Sequence, residues 1–171
     1  EARFIKSELE RLLGGADVFL DSDDLKDLRQ LGSHVTNSAV LVLLQSAEVL
    51  LRPWCVFELC TAIDANVPIV AVTVEGKGYD FADAGQLLLH LDTALEERNP
   101  GASEVLSSAG IDLVEAAWKL STTIPNVISV HFNPSGSQNN IAASILDLVE
   151  AIYGANSRPI DTPFEQWAAH R

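Results

Sequence analysis

Apolar residues recur at Phe4, Ile5, Leu9, Leu12 and Leu13, a helical period that closes on Gly14 and Gly15. The period then shortens. Residues 17–21 (DVFLD) read as a strand, followed by a polar loop (DSDDLKDLRQLG) and a short helix through QLGSHVTNS. Residues 39–45 (AVLVLLQ) and 67–75 (VPIVAVTVE) are continuous apolar runs, the signature of strands covered on both faces. Between them Ser46 is placed to cap a short turn, and Pro53 stands at the first position of a helix over 54–66. Further helices are expected in AGQLLLHLDTALEERN and IDLVEAAWKLSTTI. A β-branched strand is expected over 126–132, and a last helix in IAASILDLVEAIYG, ending at Gly154.

Strands alternating with helices predict an α/β domain, a parallel sheet with helices on both faces. The expected domain spans residues 1–154, with 155–171 (two prolines, no clean period) as a surface tail. In such sheets the ligand crevice lies beyond the carboxyl ends of the strands. The loop after Asp21 and the segment after Gln45 both leave from that edge. Within the 54–66 helix, Val56, Leu59, Cys60 and Ile63 form one stripe expected to face the sheet. Glu58 lies off it, sharing a different face with Trp54 and Thr61. A carboxylate there is either a solvated helix residue or a working group in a partly apolar cleft.

Composition narrows the partners. The 171 residues carry 24 acidic against 11 basic side chains, a net charge of −13, which disfavours nucleic acid and anionic membrane. The longest uninterrupted apolar run, AVLVLL, is too short to span a bilayer. Cys55 and Cys60 point about 140° apart on a helix and are not expected to bridge, which suits a reducing compartment. With no Cys-x-x-Cys pair and scattered histidines, no metal site is expected.

The stretch DVFLDSDDL…LGSHVTNSAVLVLLQSAEVLLRPWCVFELCTAI resembles the TIR (Toll/interleukin-1 receptor, resistance protein) domain family. The resemblance rests on a strand ending in Phe-x-Asp, an acidic loop, and Trp-Cys-x-x-Glu-Leu opening the helix after an apolar strand. It implies a flavodoxin-like three-layer sandwich built on five parallel strands. The first of these is expected upstream of Glu1 and so apparently missing from this chain. It also implies a cytoplasmic signalling role, in immunity or cell death. Two activities occur in the family: cleavage of the nicotinamide–ribose bond of NAD, and homotypic assembly with other TIR domains. For the first, the resemblance makes Glu58 the catalytic residue and places Trp54, Cys55 and Asp21 at the substrate; NAD is substrate, with no cofactor needed. For the second, it makes the loop carrying Asp23, Asp24, Leu25 and Lys26 an interface.

Other chemistries fit less well. Asp21, Asp23 and Asp24 with Lys77 mimic the magnesium site of a phospho-acceptor receiver, but a solvated loop accounts for the trio more simply. Gly76–Lys77–Gly78 lacks phosphate-loop spacing, and no Gly-x-Ser-x-Gly elbow is present.

Overall fold

The computed structural model describes residues 1–20 and 28–157. The continuous apolar runs form the sheet. β1 (Leu41–Gln45), β2 (Ile69–Val74) and β3 (Ser129–Phe132) are parallel and adjacent in that order. Leu41 pairs with Ile69 and Gln45 with Thr73, while Ala71 pairs with Ser129 and Val74 with Phe132.

Because side chains alternate across a strand, this register sorts the sheet into two faces. Val70, Val72, Val74 and Phe132 meet α1 (Ala2–Leu12) and the long C-terminal helix, which contribute Ile5, Leu9, Ile145 and Leu148. Leu43 faces the opposite layer. There α2 (Leu28–Thr36) packs on α3 (Pro53–Asp64), and α4 (Phe81–Leu89), α5 (Leu91–Arg98), α6 (Ala102–Ser108) and α7 (Leu113–Thr123) close the core. The C-terminal helix is α8 (Gln138–Ser157). The arrangement is a three-layer α/β sandwich. Leu88, Leu91, Leu95, Leu106 and Leu120 are fully buried in the second core, where a leucine-to-alanine change costs about 2–5 kcal/mol.

Local chemistry explains the element ends. Gly14 and Gly15 stop α1 with φ of +69° and +82°, values that suit glycine. Asp80 and Asp112 cap α4 and α7, each carboxylate accepting the backbone N–H three residues on. α2 lies against α3 at Gly32, where a Cβ would make ordinary contact with the Phe57 ring at 3.5 Å.

Several expectations need correction. Residues 17–20 do not form a strand: a strand needs a hydrogen-bonded neighbour, and no described residue pairs with the outer edge of β1. Instead Val18 packs on the α1–α8 core and Phe19 stacks on His34 at 4.4 Å between ring centroids. Of the four strands expected within this chain, three are present among the described residues. The single helix expected over AGQLLLHLDTALEERN is two, broken at His90 (φ −122°, ψ 32°), and the first begins earlier, at Phe81. α6 was not expected at all. Its first turn is held by Glu96, whose carboxylate accepts the N–H groups of Gly101 and Ser103 and is thereby held below the usual carboxylate range. α8 continues through Gly154, where its end was expected, to Ser157. Ser46 serves the following 3-10 turn (Val49–Leu51) through its backbone carbonyl rather than its side chain.

Candidate functional site

β1 ends at Gln45, and the 3-10 turn carries the chain from that carboxyl edge into α3. Pro53 occupies the first turn of α3, where its fixed φ fits and its missing N–H is not needed. Asn99 ties this start down from a distant helix, its amide donating to the Leu51 carbonyl at 2.8 Å. Beyond it, Val56, Leu59 and Cys60 are buried as the spacing predicts; Ala62 joins them, while Ile63 is only half-buried.

Glu58 stands in the second turn of α3 and is half-buried, as are Trp54 and Cys55. Trp54 precedes it by one turn, about 6 Å along the axis. The Trp54 ring meets Phe57 edge-on at 6.2 Å between centroids. The structure therefore brings Trp54, Cys55 and Glu58 together at the start of one helix, next to the carboxyl end of β1. Asp21, Asp23, Asp24, Leu25 and Lys26 lie outside the described residues.

Beside Trp54 runs an open cleft of about 630 Å3. Trp54 and Phe57 form one wall. Gly101, Glu104, Val105 and Ser108, from the start and outer face of α6, form the other. No lysine or arginine is among its described lining residues. Sequence reading missed this wall because it missed α6.

A second polar feature sits on the sheet. Gln45 is 1% exposed, and its Oε1 accepts from Thr73 Oγ at 2.6 Å and Ser129 Oγ at 2.8 Å, joining all three strands. Burial raises the Tyr79 phenol, an effect tempered by its own bond to Gln45. Cys60, beneath the site, is pushed up to about 11 by burial, which leaves a protonated, inert thiol. Lys77, the residue a receiver would require, pairs with Glu1 at 3.0 Å. Among the described residues, no three His, Cys, Asp or Glu side chains gather where they could hold a metal. No described helix is long and apolar enough to cross a membrane.

The arrangement is similar to a solved structure, the TIR domains of the activated Roq1 resistosome directly recognizing the pathogen effector XopQ. The TM-score is 0.53 at 15% identity, over 88% of this chain and 89% of that one. No protein-family model matches the chain, and no curated protein matches it. At that identity the likeness shows the fold: this is the flavodoxin-like α/β fold of TIR domains.

Proposed function

We propose that this chain is a TIR domain that cleaves the nicotinamide–ribose bond of NAD, with Glu58 as the catalytic carboxylate. The observation that carries the reading is the position of Glu58: half-buried, in the second turn of the helix that follows β1, one turn beyond Trp54. Heterolysis breaks the C1′–N1 bond and sends its electron pair to the pyridinium nitrogen, leaving nicotinamide neutral. Positive charge passes to C1′ and the ring oxygen of the ribose. A carboxylate beside that ring stabilises the oxocarbenium-like state. Because the leaving group starts as a cation, no strong general acid is required, so one carboxylate suffices. Water then attacks C1′ and gives up its proton, or adenine N1 of the same molecule attacks C1′ and the 6-amino group loses the proton. The products are nicotinamide and linear or cyclic ADP-ribose.

Trp54 and Cys55 flank the substrate in this reading, and Asp21 is assigned to it as well. Cytoplasmic signalling, in immunity or cell death, is its setting, and the unbridged Cys55 and Cys60 are in keeping with a reducing compartment. Homotypic assembly is the second reading, with Asp23, Asp24, Leu25 and Lys26 at the interface. It is favoured by the structural neighbour, whose TIR domains belong to a resistosome.

The test is nicotinamide release from NAD, followed by chromatography at high protein concentration. Glu58→Gln keeps the shape of the side chain and removes its charge. The expected result is a loss of roughly 100-fold or more, with an unchanged melting temperature. Release from Glu58→Gln at the parent rate would sink the assignment of Glu58. No release from the parent, even when clustered, would leave assembly as the function.

A further inference from the structure

From the cleft between Trp54 and α6 we infer a subsite for an adenosine unit that discriminates against a 2′-phosphate, with Glu104 as the discriminating residue. The inference rests on the NAD-cleaving reading and adds to it the place of the far end of the substrate.

The cleft's size is the first argument. About 630 Å3 lies inside the range of sites for small organic ligands, roughly 300–1,000 Å3. Its lining is the second. Two aromatic rings, Trp54 and Phe57, give a surface on which a planar base can pack, and Gly101, Val105 and Ala109 add apolar lining. The lining residues with polar side-chain groups are Glu104, Ser108 and Trp54, the last with its indole N–H. A carboxylate accepts hydrogen bonds and donates none, so it suits ribose hydroxyls and an exocyclic amine. With no lysine or arginine among the described lining residues, the cleft is the wrong place for a pyrophosphate or a 2′-phosphate.

The chemistry of the bond-breaking step decides which end of NAD lies here. The pyridinium ring is cationic before cleavage and neutral after it. A carboxylate held against that ring would stabilise the ground state more than the transition state and slow its departure. Adenine and its ribose do not change charge, so Glu104 can bind them without opposing the reaction. The distance is compatible: Trp54 lies one helical turn, about 6 Å, from Glu58. A dinucleotide whose scissile bond is at Glu58 can extend its other half past Trp54.

The experiment is a titration of the intact chain with adenosine and with adenosine 2′-monophosphate, followed by backbone and indole NMR shifts. Neither probe contains the scissile bond, so binding is read independently of cleavage. Adenosine is expected to shift the Trp54 indole and the amides of Gly101 and Val105. The 2′-phosphate should bind about fivefold more weakly, the scale of one exposed like-charge contact. Glu104→Gln should erase that difference and Glu104→Lys should reverse it. Because Glu104 is exposed, both variants should melt with the parent. No adenosine-induced shift at these residues, or equal affinity of the parent chain for the two probes, overturns the subsite. Continued nicotinamide release alongside absent adenosine binding removes this inference and leaves Glu58 in place. Adenosine binding without any release supports the cleft and removes the cleavage reading instead.

Discussion

Gln45 offers the sharpest test of how the sheet is held beneath the site. Its side chain is buried at the carboxyl end of β1, and one oxygen accepts two hydroxyls, from Thr73 on β2 and Ser129 on β3. Gln45→Leu keeps roughly the same volume but removes every polar atom. Three hydrogen bonds at about 1 kcal/mol each are lost, the third from Tyr79, and three half-buried hydroxyls are left to find other partners. Against this stands the gain from burying an apolar side chain, of order 1 kcal/mol here because the site was already shielded. The net cost is about 2–3 kcal/mol. For a chain of this length each kcal/mol moves the melting temperature by about 2–4 °C, so calorimetry should find a drop of about 4–12 °C. The informative variant combines Gln45→Leu with Thr73→Val, Ser129→Ala and Tyr79→Phe. Removing all four members of the network leaves no orphan, so most of the loss should return, and the coupling among the sites should be large. A melting temperature for Gln45→Leu within about 1 °C of the parent would refute the reasoning. So would a quadruple variant destabilised by the full sum of its parts.

Three further outcomes follow from the same kind of argument. The Cys60 thiol ordinarily ionises near 9.0 and in the fold is pushed up to about 11 by burial. Between those values the unfolded chain has released the proton while the folded one still binds it, so stability should fall by about 1.4 kcal/mol per pH unit. Cys60→Ala should lose that slope, and denaturant melts at pH 9 and above that keep it would count against the account. Lys119 bridges Asp64 at 2.5 Å and Glu115 at 2.7 Å, linking α3 to α7, and both carboxylates raise its ionisation. Since the carboxylates are more than half exposed, Lys119→Met should cost only about 1 kcal/mol. The difference should shrink in about 1 M salt, and a salt-independent gap would mean that packing, not charge, is responsible. Finally, reversing Asp23 and Asp24 to lysine should weaken self-association in sedimentation velocity, and an identical profile would remove that loop as an interface.

The sequence made some of this legible because burial leaves a pattern. Val70, Val72 and Val74 alternate with Ala71 and Thr73, yet the whole run is apolar enough to announce a strand with helices on both sides. Pro53 and the Val56–Leu59–Cys60 stripe marked the start and the inner face of α3, and so placed Glu58 off that inner face. The misses share a different cause: they depend on contacts between residues the pattern does not connect. The break at His90 carries no proline or glycine. Leu87, Leu88, Leu91 and Leu95 all face the core on either side of it, so the apolar period runs through unbroken while the backbone does not. The Asp80 cap, three residues before Asp83, was the one local signal for the early start of α4. α6 is too short to show a period, and its first turn is held by a carboxylate from the helix before it. The strand expected at 17–20 failed in the opposite way. Its sequence satisfies the local rule, but a ladder is a property of two strands and none pairs there among the described residues. The candidate site inherits this division. Trp54, Cys55 and Glu58 are neighbours along one helix and could be read as a motif. The wall that faces Trp54 comes from α6, whose position is set by Glu96 and by the burial of Ala102 and Leu106. A motif thus nominates the group proposed to carry the chemistry, whereas the residue that would discriminate between substrates becomes visible only once the packing of α6 against α3 is known.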